Sequence, residues 1–320
     1  MRIFVTGATG FIGAAVVREL VGAGHAVTGL ARTGAAVRTL KAAGATPHRG
    51  SLDDPASLRE AAAASDGAIH LAFMHGIGSF SPLGRARLLL GGAPGGIGLR
   101  FMAATMAAEH RAIDALGAAL EGSGRPLVTT FATLGLPLGR LVTEADQPDP
   151  TSPGGGRAAA EAAVLSWAAR GVRATMVRLP PSVHDEHGAG FIDRLVEAAR
   201  KRREAAYIGD GSNRWGGVHR LDAARLFRLA LESGLAGARY HGVADEGVPV
   251  REIAEVIGRR LRLPVVSRTP AEAAKAFSWI TPFVAADNPV SSQQTQEQLG
   301  WRPIHPGLLA DIDSARYLGV

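Results

Sequence analysis

The chain has 320 residues, 46% of them hydrophobic and 20% charged, which is typical of a globular protein with one large core, alone or with a smaller companion domain. It contains no cysteine, which excludes disulfides, thiolate nucleophiles and cysteine-bound zinc or iron–sulfur clusters. The net charge of +6 comes mainly from arginines spread along the chain, and with an aromatic content of only 5% it does not predict a nucleic-acid partner.

The first predicted elements are a strand at 2–5 and a helix, joined by a turn that reads Thr-Gly-Ala-Thr-Gly-Phe-Ile-Gly over residues 6–13. Gly7 permits the tight turn, Gly10 lets the backbone approach a pyrophosphate, and Gly13 lets the helix pack against the strand. The N–H groups at the helix start face the phosphates. A glycine motif between a strand and a helix therefore predicts a dinucleotide site rather than an empty turn. The cofactor-binding residues predicted here are Gly7, Thr9, Gly10, Phe11, Ile12 and Gly13.

The second predicted strand, 26–30, is followed by Arg32, and no carboxylate occurs between Leu20 and Lys41. An NAD-selective site usually has an aspartate or glutamate here for the ribose 2′-hydroxyl. Arg32 would instead pair with a 2′-phosphate, although a plain surface arginine is the alternative. We therefore predict NADP(H) as the preferred cofactor, with NAD(H) as the alternative.

Further strands are predicted at 45–48, 68–72, 126–130 and 173–178, alternating with alanine-rich helical runs. This alternation is typical of an α/β fold with a doubly wound parallel sheet (Rossmann). We predict a nucleotide-binding domain over 1–180 and a smaller C-terminal α/β substrate-binding domain over 181–320. As an alternative to this simple division, a strand near 238–243 returns to the main sheet, and the domain boundary is then not continuous in sequence. Helices of the second domain are predicted near 191–203, 221–233, 250–261 and 294–299.

The segment 76–100 does not fit the alternating pattern, because glycines are scattered through an apolar background. A loop of this length is either functional or disordered. We consider a lid over the cofactor, a dimer contact and a mobile insertion, and favour mobility.

The turn, in its form TGATGFIG, resembles that of the extended short-chain dehydrogenase/reductase superfamily, the NAD(P)-dependent epimerase/dehydratase group. Shorter runs at 68–72, 178–183, 209–215, 218–224 and 299–303 resemble the same family and extend the resemblance over nearly the whole chain. The resemblance implies that Leu52 and Asp53 lie beside the adenine. It also implies that residues after two strands contact the rest of the cofactor, and these are Leu71, Ala72, Phe73, Pro180 and Val183.

The resemblance also implies a catalytic tyrosine, which protonates the oxyanion left by hydride transfer, and a lysine four residues later that binds the ribose. A glutamate often follows that lysine by four residues, and Glu161 fits this place. Arg157 then stands at the lysine position and Pro153 at the tyrosine position, and residues 145–172 contain neither tyrosine nor lysine. The standard catalytic pair is absent, so we expect Arg157 to hold the ribose and another group to supply the proton.

Candidates for the remaining roles follow the predicted strands. Thr133, with Thr130 as second choice, would orient the carbonyl, and His184 in the run His-Asp-Glu-His would replace the missing acid. For the run as a whole a solvated loop is the favoured interpretation, and we predict no metal site there because adjacent loop residues need a third ligand from elsewhere. The predicted substrate contacts are His75, Tyr207 and Arg214. A half-buried strand aromatic is the alternative for Tyr207, and an ion pair at the domain junction is the alternative for Arg214.

These observations predict an NADP(H)-linked oxidoreductase that reduces a small-molecule carbonyl or oxidises the alcohol. A nucleotide-binding sensor without turnover, and an epimerase or dehydratase that uses the cofactor transiently, are the alternatives. We expect a small-molecule substrate, a homodimer by family resemblance, no nucleic-acid or membrane partner, and a cytoplasmic location, because no secretory or membrane-spanning run is recognisable.

Overall fold

The structure is a computed structural model and describes residues 1–74, 76–188 and 190–314. Its strands are β1 (Arg2–Thr6), β2 (Ala26–Ala31), β3 (Thr46–Arg49), β4 (Gly67–His70), β5 (Pro126–Ala132), β6 (Arg173–Leu179), β7 (Ser182–His184), β8 (Ala205–Ile208), β9 (Arg214–His219), β10 (Arg239–His241), β11 (Asp245–Pro249) and β12 (Val265–Arg268). Its α-helices are α1 (Phe11–Gly22), α2 (Gly34–Ala42), α3 (Pro55–Ala63), α4 (Pro82–Leu90), α5 (Ile97–Leu120), α6 (Ala158–Ser166), α7 (Phe191–Arg202), α8 (Arg220–Ser233), α9 (Val250–Leu261), α10 (Pro270–Phe277), α11 (Thr281–Val284), α12 (Gln293–Leu299) and α13 (Leu308–Ser314).

The largest sheet has seven strands in the order β10-β6-β5-β4-β1-β2-β3. The pairs β1–β2, β1–β4, β2–β3 and β4–β5 are parallel. The run from β3 to β6 follows the 3-2-1-4-5-6 order of dinucleotide-binding folds, in which ligands bind at the carboxyl ends of the strands. The predicted fold class, a doubly wound parallel sheet, is confirmed.

The chain forms two compact units. The first consists of Met1–Thr130, Ala159–Met176 and Phe227–Ala238, and the second of Phe131–Ala158, Val177–Leu226 and Arg239–Val320. The domain boundary expected at residue 180 stays a prediction. Among the described residues, no helix has both the length and the apolar character needed to cross a bilayer.

The second unit contains a three-stranded sheet, β11-β9-β7, and the parallel pair β8–β12. Its core surrounds Trp215, which is fully buried and packs edge-on against Phe191, with ring centroids 6.0 Å apart. Burial of large aromatic and aliphatic side chains is the main source of stability in such a core.

The segment 76–100 is not the loop that we expected. Helix α4 begins after Ser81, whose hydroxyl accepts a hydrogen bond from Gly84 N at 3.2 Å, and Pro82 occupies the first helical turn. Serine followed by proline is a strong helix start signal, so this prediction was wrong for a reason that the sequence contained. Arg100 in α5 donates to the carbonyls of Leu88, in the last turn of α4, and of Ala93, which follows α4, at 3.0 and 2.9 Å.

Candidate functional site

The glycine turn leaves no room for side chains at two positions. Gly7 has φ +69°, and a Cβ there would lie 2.8 Å from Ala72 N. A Cβ at Gly13 would lie 2.0 Å from the Gly7 carbonyl oxygen. No side chain caps the first turn of α1, so its backbone N–H groups are left for an anion. The turn thus has the backbone geometry of a pyrophosphate site.

A pocket of about 380 Å³ opens beside this turn in the first unit. Its lining comes from the carboxyl ends of β1 to β4, where parallel sheets bind ligands. Most of the cofactor residues predicted in this unit line it, namely Gly7, Thr9, Gly10, Arg32, Leu52, Leu71, Ala72 and Phe73. Sequence reasoning missed further lining residues that also follow the strand ends, and these are Leu30, Thr33, Ala36, Gly50, Ser51, Met74 and Ser79.

A buried hydrogen bond joins two strands directly before the glycine turn. The Thr6 hydroxyl lies 2.7 Å from His70 Nδ1, joining the ends of β1 and β4. Ala72 N donates to the same hydroxyl at 3.3 Å, which holds the chain after β4 against the glycine turn. A polar pair that is satisfied inside the sheet rigidifies the backbone around it.

Arg32, predicted to select the nucleotide, and Asp53, expected beside the adenine, both form hydrogen bonds with the segment after β4. Arg32 is exposed, and its Nη1 donates to the Ser79 carbonyl at 2.5 Å. Asp53 accepts a hydrogen bond from Ser81 N at 3.0 Å. Since a guanidinium has five N–H donors, the contact with Ser79 orients Arg32 without exhausting it.

His184, the predicted acid, lies at the centre of a polar cluster in the second unit. The parallel register of β7 and β9 places His184 beside His219, and their ring centroids are 5.9 Å apart. His184 Nδ1 lies 2.6 Å from an Asp311 carboxylate oxygen, and its Nε2 lies 3.9 Å from Asp245. Its side chain is fully buried, and burial lowers its pKa to about 4 while it raises the pKa of Asp311. Burial therefore favours the neutral form of the His184 ring at neutral pH, and the role of His184 as the acid stays a prediction.

The same cluster continues through the start of α8. The rings of His219 and His305 stack with centroids 4.5 Å apart, and His305 Nδ1 donates to Asp222 at 2.9 Å. Asp222 also accepts from the backbone N–H groups of Ile304 and His305. We call the group His184, His219, Asp222, Asp245, His305 and Asp311 the histidine–aspartate cluster.

Three members of this cluster have the residue types of a metal site. His219, Asp222 and His305 each place a donor atom within 4.8 Å of the others. However, His219 Nδ1 accepts a hydrogen bond from Leu221 N at 3.2 Å, which puts the ring proton on Nε2. Since a metal-bound histidine donates through its second nitrogen, this arrangement favours a hydrogen-bonded network over a metal centre.

Two of the three predicted substrate residues lie in the second unit, and each has a partner there. Arg214 forms a two-point ion pair with Asp287, through Nε and Nη2 at 2.9 Å each, so its guanidinium already has a carboxylate partner. Tyr207 is half-buried in β8, with the Arg251 guanidinium 5.8 Å from its ring centroid. His75 lies outside the described residues. This contact agrees with the ion-pair alternative for Arg214, and its role as a substrate clamp stays a prediction.

Residues 3–81 match the model of the NAD dependent epimerase/dehydratase family. An uncharacterized protein of Schizosaccharomyces pombe is 44% identical over 319 residues, covering 99% of this chain and all of the relative. The chain belongs to the NAD dependent epimerase/dehydratase family. The 2-alkyl-3-oxoalkanoate reductase of Stenotrophomonas maltophilia is 28% identical, with 84% of this chain and 78% of the reductase covered. A dTDP-glucose 4,6-dehydratase of Streptomyces venezuelae, solved with NAD, shares the fold with a TM-score of 0.72 and 20% identity, over 98% of this chain and 96% of that one.

This family member departs from the pattern expected for catalysis around β5 and α6. Thr133 is fully buried, its hydroxyl donates to Asn288 Oδ1 at 2.7 Å, and Asn288 Nδ2 donates back to the Thr133 carbonyl at 3.1 Å. A hydroxyl has one proton to donate, so Thr133 cannot also orient a substrate carbonyl. Arg157 is half-buried at the end of a short 3₁₀ turn, Gly155–Arg157, that precedes α6.

The predicted contacts of Pro180 and Val183 with the cofactor stay predictions. Both side chains are buried in the second unit, where Pro180 Cβ lies 3.2 Å from the position that a Cβ on Gly216 would take. The expected role of Arg157 in binding the ribose also stays a prediction.

Proposed function

We propose that this protein is an NADP(H)-dependent reductase that converts a small-molecule carbonyl to an alcohol without a catalytic tyrosine at the usual position. The observation that carries the proposal is the pocket at the carboxyl ends of β1 to β4, which joins an uncapped helix start to the Arg32 guanidinium. The resemblance to a 2-alkyl-3-oxoalkanoate reductase favours a carbonyl substrate over a sugar nucleotide.

The residues of the pocket fit a dinucleotide. Gly7 and Gly13 form a cradle that side chains would fill, and Gly10 and the first turn of α1 would hold the pyrophosphate. Arg32 would bind the 2′-phosphate, and Leu52 would contact the adenine. When bound, the reduced nicotinamide supplies the hydride of the reaction.

The oxyanion left by hydride transfer needs one proton. Because His184 is buried, our proposal has water deliver the proton and Thr130 orient the carbonyl in place of Thr133. Thr130 is half-buried at the carboxyl end of β5, the edge at which parallel sheets bind ligands. Arg157 would hold the nicotinamide ribose.

The test is a single-turnover reaction of purified protein with NADPH and a panel of aldehydes, ketones and 2-alkyl-3-oxo acids. We expect loss of the reduced nicotinamide absorbance and formation of one alcohol per cofactor oxidised. Thr130→Val should slow this step while NADPH affinity stays unchanged, because the variant removes a hydroxyl and keeps the volume. NADPH oxidation without alcohol formation would contradict the proposal.

A second candidate is a sensor that binds NADP(H) without turnover. It is favoured by Pro153 and Arg157 at the positions where the family pattern has tyrosine and lysine. Tight NADPH binding with no oxidation across the panel would favour the sensor. Cofactor that stays bound through purification and is regenerated in each turnover would favour an epimerase or dehydratase instead.

A further inference from the structure

A second cavity lies in the first unit, in the groove between α4 and α5. It measures about 580 Å³ and has no lining residue in common with the nucleotide pocket. Its apolar side is formed by Phe80, Leu83 and Leu88, together with an alanine face of α5. Leu83 is 63% exposed, so the groove presents apolar surface that nothing in the described chain covers.

Three arginines line the same groove: Arg87, Arg100 and Arg111. Arg87 and Arg111 are exposed, and within the described residues their guanidinium groups have no hydrogen-bond or ion-pair partner. Nη2 of Arg100 is buried without a hydrogen-bond partner, although Nε and Nη1 bind backbone carbonyls. A buried donor that is left unsatisfied costs free energy unless a ligand or water completes it.

Negative charge around the groove is scarce. Asp53 is the one acidic residue of its lining, and its carboxylate accepts the Ser81 N–H. Along the chain, no aspartate or glutamate occurs between Asp66 and Glu109, a stretch that includes α4 and the first half of α5. The groove therefore combines apolar walls with unneutralised guanidinium groups, the two features that recognise an amphiphilic anion.

We propose that the α4–α5 groove is a second ligand site, which binds a small molecule with an anionic carboxylate or phosphate head and an apolar chain. Arg87 and Arg111 hold the head. The chain packs along Phe80, Leu83 and Leu88 and removes the exposed part of Leu83 from water. This site shares no lining residue with the pocket beside the glycine turn, and the proposal does not rest on the reaction proposed for that pocket.

The experiment is calorimetric titration of the full chain with decanoate, and with decanol and inorganic phosphate as partial probes. We expect decanoate to bind more tightly than either, because each partial probe lacks one half of the recognised chemistry. Phosphate that binds as tightly as decanoate would overturn the role of the apolar wall, and decanol that binds as tightly would overturn the role of the arginines.

The variants locate the site. The double variant Arg87→Gln/Arg111→Gln should weaken decanoate binding by about ten-fold or more, since it removes two charge-assisted contacts. Leu83→Gln should weaken decanoate binding but leave phosphate binding unchanged. Arg85→Gln is the matched control, because Arg85 is exposed on the same helix but does not line the groove. Decanoate affinity that is unchanged in the double variant, or that is lost in the presence of saturating NADPH, would overturn the proposal.

Discussion

The pocket beside the glycine turn and the histidine–aspartate cluster use their polar groups differently. In the pocket, Arg32 is exposed and, among the described residues, no side chain caps the first turn of α1. In the cluster, each carboxylate and imidazole already has a protein partner or is buried away from solvent. Both regions concentrate polar groups next to parallel strands. Only the first leaves donors directed into a cavity, which is the property that binds a ligand. The polar groups of the cluster hold the backbone in place. Asp222, for example, accepts hydrogen bonds from the backbone N–H groups of Ile304 and His305 and from the His305 ring.

The largest effect on the difference between the two regions is expected from a substitution in the glycine turn. Gly13→Ala should lower NADPH affinity by about 100-fold or more and the free energy of unfolding by about 2 kcal/mol, because the new Cβ overlaps the Gly7 carbonyl and the turn must move. Fluorescence titration with NADPH and urea unfolding measure the two effects. Gly22→Ala in the same helix is the control, since no atom lies within 4 Å of its Cβ position. Wild-type affinity in Gly13→Ala would show that the turn does not hold the nucleotide.

The pH dependence of the free energy of unfolding tests the histidine–aspartate cluster. His184 has a folded pKa of about 4, below its usual 6.5, so the unfolded chain takes up a proton first as the pH falls. The free energy of unfolding should therefore be highest above pH 6.5 and decline toward pH 4, by about 3 kcal/mol from His184 alone. His241, whose pKa burial lowers to about 3, acts in the same direction. The raised pKa of Asp311 acts in the opposite direction and reduces the slope.

Urea unfolding at several pH values, for wild type and His184→Asn, separates these contributions. We expect a flatter pH dependence in His184→Asn and an unchanged NADPH affinity. The exposed His187 provides the control His187→Asn, which should keep the wild-type slope. An equal slope in wild type and His184→Asn would show that His184 is not a buried neutral group.

The smallest expected effect concerns the choice between the two cofactors. Arg32→Glu should weaken NADPH binding about ten-fold more than NADH binding, because a carboxylate repels the 2′-phosphate that the guanidinium binds. Parallel titrations with the two nucleotides measure this ratio. Arg38→Glu makes the same charge change on α2 away from the pocket lining and should leave the ratio unchanged. Equal losses for both nucleotides in Arg32→Glu would remove the NADP(H) assignment.

The sheet and the position of the glycine turn at its carboxyl edge could be predicted because their signals are local. A glycine with positive φ, a strand before it and a helix after it all lie within a few residues, and the pocket-lining side chains follow strand ends. Helix α4 was also readable from Ser81 and Pro82, but the surrounding glycines outweighed that signal in our reading.

The environment of His184, Arg214 and Thr133 could not be predicted in this way. His184 meets Asp311 at a distance of 127 residues along the chain, Arg214 meets Asp287 at 73, and Thr133 meets Asn288 at 155. The sequence around His184, Arg214 or Thr133 does not identify these distant partners. Yet the partner determines whether the side chain is available to a ligand or is engaged in a structural contact.

The contacts that hold Arg32 and Asp53 have a consequence for how this protein can change over generations. Both are made by the backbone of the neighbouring segment, through the carbonyl of Ser79 and the N–H of Ser81. Substitutions at 79 leave its carbonyl in place, and at 81 only proline removes the N–H. Drift in the side chains of this stretch therefore leaves both contacts available, so Arg32 and Asp53 can keep these hydrogen bonds while the side chains around them diverge.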